Sequence, residues 1–409
     1  MKRLLSLVIA FMLLTTVATP VLATEVDPVD VISDVNVLSE QKLTNKHSEY
    51  ITLKECYIAG IKWIQANYND NTTIGSILPI HNLDDSLNSY CLNFTKDGAP
   101  NGYLVISADK YASHYIREFS LDGNGIYASL LECGNIPNPV ENVIYTITPF
   151  EYAVKYTDDS IVMLYSSSAG EMKYAEALDT FGVVAKQNEL PRSSTENREE
   201  YYDSFFNGDS LQNYSSSNDY VLPGASAFVP YTMLELSHGV SMGNCGPTLA
   251  TNLVAYYEYI GMTGMLLMPI QNNSDIDLTY DTIVNYVGYV VGGTTYFHDL
   301  QNGVELYING NTPYSATVTH FQSHTWTSFK SAFDAGKCVM IDLMGDKYYE
   351  STDTWGTAWH YVLGVGYRIL NDGSKYVRVY DGWYPSNSRF ILFDSDAINV
   401  FWGAGVSVN

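Results

Sequence analysis

Pro247 fixes where a helix can begin. Proline has no N–H to donate, so a helix tolerates it in the first turn. It stands in Gly243-Asn244-Cys245-Gly246-Pro247-Thr248, directly ahead of Leu249, Leu253, Tyr256 and Ile260 at helical spacing. Gly261 supplies an end cap. Cys245 therefore belongs to a helix N-terminus, where the backbone dipole favours thiolate over thiol. Gly243 and Gly246 let another backbone come close. The same geometry suits an inert buried cysteine, so the thiol alone decides nothing.

Its partners lie more than a hundred residues on. Trp359 to Tyr367 reads as a strand with His360 at its start, Asn371-Asp372-Gly373 as a turn, and Lys375 to Tyr380 as the returning strand that runs into Asp381-Gly382-Trp383. With the loop at Leu370 to Gly373, Ile369 pairs with Ser374 and Asp381 faces Val362, one diagonal step from His360. A thiol needs a base to become a nucleophile, and the base needs a third group to hold its tautomer. Cys245, His360 and Asp381 can fill those roles in that chain order.

Export is written at the N-terminus. Lys2 and Arg3 precede the apolar run Leu4 to Leu14, and Val21-Leu22-Ala23 offers small residues before a cut after Ala23. No later stretch reaches transmembrane length. The expected product is secreted. A net charge of −24 argues against nucleic acid as a partner, and 46% hydrophobic residues against a disordered acidic chain. The five cysteines are few for a disulfide scaffold, and their odd number leaves at least one thiol unpaired.

Five segments are expected from the pattern. Residues 1–23 read as a signal peptide and 24–45 as a polar segment. Residues 46–185 read as a small α+β module: a helix from 46 to about 70 with Ile51, Cys56, Ile58, Ile61, Trp63 and Ile64 on one face, then strands at Tyr103–Ser107, Val143–Ile147 and Ser160–Tyr165. Residues 186–219 are polar and read as an exposed linker open to proteolysis. Residues 220–409 form the domain that carries the three candidate residues.

This order of a Cys on a helix, a His on a strand and a polar residue with Trp after the next strand resembles the papain-fold cysteine peptidases. Asn244-Cys245-Gly246-Pro247-Thr248 and His360-Tyr361-Val362-Leu363-Gly364-Val365-Gly366-Tyr367 resemble the bacterial branch that includes bacteriocin-processing peptidases, over residues 220–409. Asn101-Gly102-Tyr103-Leu104-Val105-Ile106-Ser107-Ala108-Asp109 is similar, more loosely, to the pro-domain of streptopain-type peptidases. The resemblance implies an α+β fold: a papain-like domain with a helical half and an antiparallel-sheet half, preceded by a pro-domain over 46–185. It implies a secreted cysteine endopeptidase made as a zymogen, cut in the linker, acting on peptide or protein substrates. Cys245 is then the nucleophile, His360 the base and Asp381 its orienting group, with Trp383 shielding the His–Asp contact and no cofactor.

One departure stands out. The family often carries a Gln about six residues before the Cys, as an oxyanion donor; Gly239 stands there, with no Gln between Glu235 and Cys245. Asn244 or Ser241, with the Cys245 N–H, is the candidate replacement. Two rival functions stay open: an amidase or acyltransferase on cell-wall peptide, and an impaired surface-binding protein. His320 and His324 are four apart but lack a third ligand beside them, so no metal is expected. Asp275, Asp277 and Asp281 lack the glycine and terminal Glu of a calcium loop and read as a solvated acidic loop. Cys338, inside Cys338-Val339-Met340-Ile341-Asp342-Leu343, reads as a small core residue on a buried strand.

Overall fold

Thr52 starts the first helix. Its hydroxyl accepts from the Glu55 N–H while the Glu55 carboxylate accepts from the Thr52 N–H, a reciprocal cap. Helix α1 (Leu53–Asn67) buries Cys56, Ala59, Gly60 and Trp63. A Cβ on Gly60 would sit 2.5 Å from Leu92 and 2.8 Å from Ile74, so the glycine lets α1 press on the strands beneath. Those strands are β1 (Thr72–His81), β2 (Leu87–Lys96), β3 (Ala99–Ser107) and β4 (Ile116–Ser120), joined in antiparallel order. Strand β5 (Ile144–Thr148) adds to β1 in parallel, and β6 (Glu151–Thr157), β7 (Ser160–Leu164) and β8 (Ala169–Lys173) follow antiparallel.

The computed structural model describes residues 50–126, 128, 144–148, 151–157, 160–164, 169–173, 183–184, 196–236, 243–268, 274–289, 295–349, 354–384, 388–393 and 400–409. The expected signal peptide, the 24–45 segment, residues 186–195 of the expected linker, Gly239 and Ser241 lie outside them.

After β9 (Val183–Val184) and α2 (Glu196–Tyr202) comes a π-helical turn, Asp203–Asn207, and then β10 (Ser216–Val221). The helices α3 (Met233–Leu236), α4 (Cys245–Tyr259), α5 (Ser274–Tyr286) and α6 (Phe297–Asn311) lead into β11 (Ala316–His320) and α7 (Trp326–Asp334). The chain closes with β12 (Cys338–Tyr349), β13 (Thr354–Leu370), β14 (Lys375–Tyr380), β15 (Arg389–Leu392) and β16 (Val400–Val408). Among the described residues, sixteen strands join one sheet of mixed α/β architecture, mostly antiparallel, in the order β11-β16-β12-β13-β14-β15-β4-β3-β2-β1-β5-β6-β7-β8. Strand β10 adds to β13, and β9 to β12.

Side-chain alternation divides the core. Met340, Tyr361, Leu363 and Val365 meet α4, α5 and α6 on one face. Val339, Ile341, Leu343 and Val362 meet Phe329 and Phe333 of α7 on the other. No helix among the described residues is long and apolar enough to cross a membrane.

Three expectations need correction. The part of the expected linker after residue 198 is folded: Phe205 and Tyr214 are fully buried, Phe206 nearly so, and β10 pairs with β13. Lys62 Nζ donates to the carbonyls of Phe205, Phe206 and Gly208 at 2.6–3.1 Å, and Arg368 clamps Asp219 through Nε and Nη2 at 2.8 and 2.7 Å. Polar composition hid aromatic anchors spaced along the segment. Second, the sheet does not stop between the two expected domains: β4 pairs with β15, and the described residues belong to one body. Third, the expected acidic loop is helix α5, whose inner face buries Ile276, Thr279, Tyr280 and Ile283.

Candidate active site

Cys245 is the first residue of α4, as Pro247 requires. The helix is enclosed: every residue from Gly246 to Tyr257 is buried. Asn252 fixes its entry by exchanging hydrogen bonds of 2.7 and 2.8 Å with the Tyr231 main chain. Gly261 closes the far end at φ +101°, a conformation L side chains resist. Asn244 is the N-cap but makes no side-chain cap bond. It is fully buried, and its amide nitrogen donates to the Met233 carbonyl and the Tyr280 hydroxyl, both at 3.2 Å. That corrects the expected oxyanion role: the position just before the helix start turns this side chain under the first turn, where it acts as a strut.

The Cys245 sulfur approaches the main chain of β13. The thiol is pushed up to about 11, mainly by burial; the Tyr361 N–H pulls the other way and the Asp342 carboxylate adds to the rise. His360 is buried, and its Nε2 lies 2.7 Å from the Asp381 main-chain carbonyl. A carbonyl can only accept, so Nε2 carries the proton and Nδ1 is the basic nitrogen. Burial lowers the imidazole to about 4, against the pull of Asp381. Thiol and imidazole are both uncharged at neutral pH. No hydrogen bond joins Cys245 to His360 among the described residues.

The orienting contact differs from expectation. His360 is held by the Asp381 carbonyl, not by its carboxylate. Oδ1 accepts from the N–H groups of Trp383 and Tyr384 at 2.7 and 3.0 Å, and Oδ2 accepts from Arg389. The carboxylate thus shapes the turn that aims the carbonyl. Gly382 takes φ +76° and accepts at its own carbonyl from the Met233 N–H at 2.6 Å, which seats the turn against the start of α3. Trp383 stacks on His360 with ring centroids 5.3 Å apart.

The register at this end of the hairpin is the expected one, reached by an unexpected route. Ile369 pairs with Lys375 instead of Ser374, and an irregularity between Gly364 and Gly366 restores Leu363 opposite Tyr380. His360 lies well inside β13, not at its start, because Thr354 to Trp359 continues the pairing with β12.

Two further groups escaped the sequence reading. Asp342 sits on central strand β12, opposite Tyr361 and Trp402. It is buried, its Oδ1 has no partner, and burial raises its carboxyl to about 7. A single acid inside the apolar run Val339 to Leu343 was the signal. Arg389 is fully buried between Asp381 and Glu118, the latter on β4 and 271 residues distant; no local pattern marks that pair.

The chain matches no protein-family model and no curated protein.

No group of three or more His, Cys, Asp or Glu among the described residues is arranged to hold a metal. His320 and His324 do approach, with ring centroids 5.3 Å apart, but His320 Nδ1 is bonded to the Gln301 amide and His324 lies tilted against Trp402 at 6.1 Å.

Proposed function

We propose that this chain is a secreted cysteine endopeptidase with a papain-like catalytic half, exported in a latent form. The observation that carries the reading is the meeting of the helix start bearing Cys245 with the strand bearing His360, whose tautomer the Asp381 carbonyl holds. In that reaction the Cys245 sulfur attacks the peptide carbonyl. His360 Nδ1 takes the thiol proton and returns it to the leaving amine. Water then releases the acyl group from sulfur. The Cys245 N–H supplies an oxyanion donor.

Latency follows from the resting electrostatics. A partly buried thiol pushed up to about 11 and an imidazole lowered to about 4 both rest uncharged, and a neutral thiol is a poor nucleophile. Activation then consists of bringing Nδ1 to the sulfur, which a cut between 186 and 195 is proposed to permit.

Iodoacetamide labelling with the modified residue mapped, beside casein hydrolysis, tests the reading. Labelling concentrated on Cys245 and hydrolysis lost in Cys245→Ala are expected. Turnover of purified peptidoglycan with casein untouched would move the reaction to the amidase class. A second reading has its own support: the absent Cys245–His360 bond, together with exposed Trp359, Trp402 and Tyr296, suits a surface-binding protein without catalysis. Slow, unselective labelling and no turnover would favour it.

A further inference from the structure

We infer that Glu118, on the N-terminal module, is a positioning residue for the Cys245–His360 centre, and that this module is a permanent part of the centre instead of a removable cover. The inference rests on the peptidase reading above.

The connection is continuous and atom by atom. Glu118 is wholly buried on β4. Its Oε1 accepts from the Tyr103 hydroxyl at 2.8 Å, and its Oε2 accepts from the Tyr152 hydroxyl at 2.8 Å and from Arg389 Nη2 at 2.9 Å. The other arm of Arg389, Nη1, donates to Asp381 Oδ2. Asp381 Oδ1 holds the turn, and its carbonyl accepts from His360 Nε2. The three charged side chains are 0%, 1% and 2% exposed. A guanidinium fork shared by two carboxylates has a fixed plane. Without Glu118, Arg389 loses one of its two carboxylate partners, and its buried charge is less compensated. Asp381 then loses the rigid donor that sets its turn, and the carbonyl that selects the His360 tautomer drifts.

A second contact runs the same way. Trp383, stacked on His360, packs against a cluster that contains Cys91, Tyr103, Val105 and Tyr152, with Tyr384 buried inside it. Both residues after Gly382 therefore rest on the module. The seam is built like an interior. Phe119 stacks on Phe390 with centroids 4.7 Å apart, the Tyr376 hydroxyl donates to the Ile116 carbonyl at 3.0 Å, and Ser120 and Ser388 hydroxyls lie 2.6 Å apart. Cutting the chain between 186 and 195 removes none of these contacts.

The test uses the full-length protein. A specific protease site is placed between 186 and 195 and cut, and the fragments are sized under native conditions beside peptidase rate. The two fragments should co-elute. A carboxy-terminal fragment that elutes alone at full turnover overturns the proposal. Glu118→Gln is measured in parallel, its fold checked by thermal melting. We expect kcat to fall by about tenfold or more with KM little changed. In a Cys245→Ala background, the ¹⁵N imidazole signals of His360 should lose the Nε2–H form held by a carbonyl. A folded Glu118→Gln with unchanged kcat and unchanged His360 signals shows a merely structural salt bridge and overturns the proposal. If Glu118→Gln does not fold, Tyr152→Phe, which removes one donor to Oε2, should shift the same signals by less; no shift overturns it equally. Should wild type show no thiol-dependent turnover, the peptidase reading fails, while the His360 signals still decide the role of Glu118.

Discussion

At Cys245 the decisive quantity is the cost of charging a partly buried sulfur. The helix start favours thiolate, but enclosure outweighs it, and the thiol sits near 11. In the uncut protein, the alkylation rate of Cys245 should rise about tenfold per pH unit from neutrality toward that value; a plateau already reached near neutral pH would show a thiolate–imidazolium pair. Asp342 behaves in the opposite sense to a surface acid. Its folded value of about 7 lies above the ordinary 3.8, so the folded state carries no penalty below the lower value and gains one as pH rises through the higher. The penalty reaches at most about 4 kcal/mol. Asp342→Asn should therefore stabilise the protein in denaturant melts at about pH 8 and change little at about pH 4.

Among the elements, the turn after β14 does the positioning, and its glycine is the sensitive point. A Cβ at Gly382 would meet Thr248 at 3.3 Å in a left-handed backbone. Gly373, in the preceding hairpin turn, is left-handed too but opens on empty space. Both alanine variants should lose about 1 kcal/mol from backbone strain. Only Gly382→Ala should also lower turnover, because it moves Asp381 relative to α4; equal rates in the two variants would separate that turn from catalysis. Thr52→Ala serves as a remote control. It removes the α1 cap for about 1 kcal/mol and should leave turnover alone. The β13–β14 hairpin was legible from its turn and its alternation. Its irregularity at Gly364–Gly366 was not, since a bulge answers to pairing partners and leaves no period of its own.

For the molecule as a whole, the sheet that crosses from β4 to β15 makes the two halves one cooperative structure. Phe390→Ala, at that seam, should cost about 3–5 kcal/mol. Unfolding should remain a single transition, with probes in the N-terminal and C-terminal halves coincident. Two separated transitions in the wild type would restore independent domains. A polar run from 186 to 219 suggested a boundary, but Phe205, Phe206 and Tyr214 inside it are core residues that join α1 to the rest. Polarity averaged over a window cannot report where three rings go.

The sequence by itself determined the pieces whose causes are local. Pro247 and the apolar spacing behind it set the start of α4, Gly261 its end, and the Asn371–Gly373 turn brought Asp381 back toward His360. Those features depend on residues within a few positions of each other. Only the tertiary structure decided which atom of Asp381 meets His360, where the Asn244 amide points, and that the Cys245 sulfur reaches the main chain of β13. It alone brought Glu118 to Arg389 and left Asp342 buried without a partner for Oδ1. The physical reason is common to all of these. The energy of a buried polar or charged group is set by the groups that enclose it, and here those come from strands tens to hundreds of residues away.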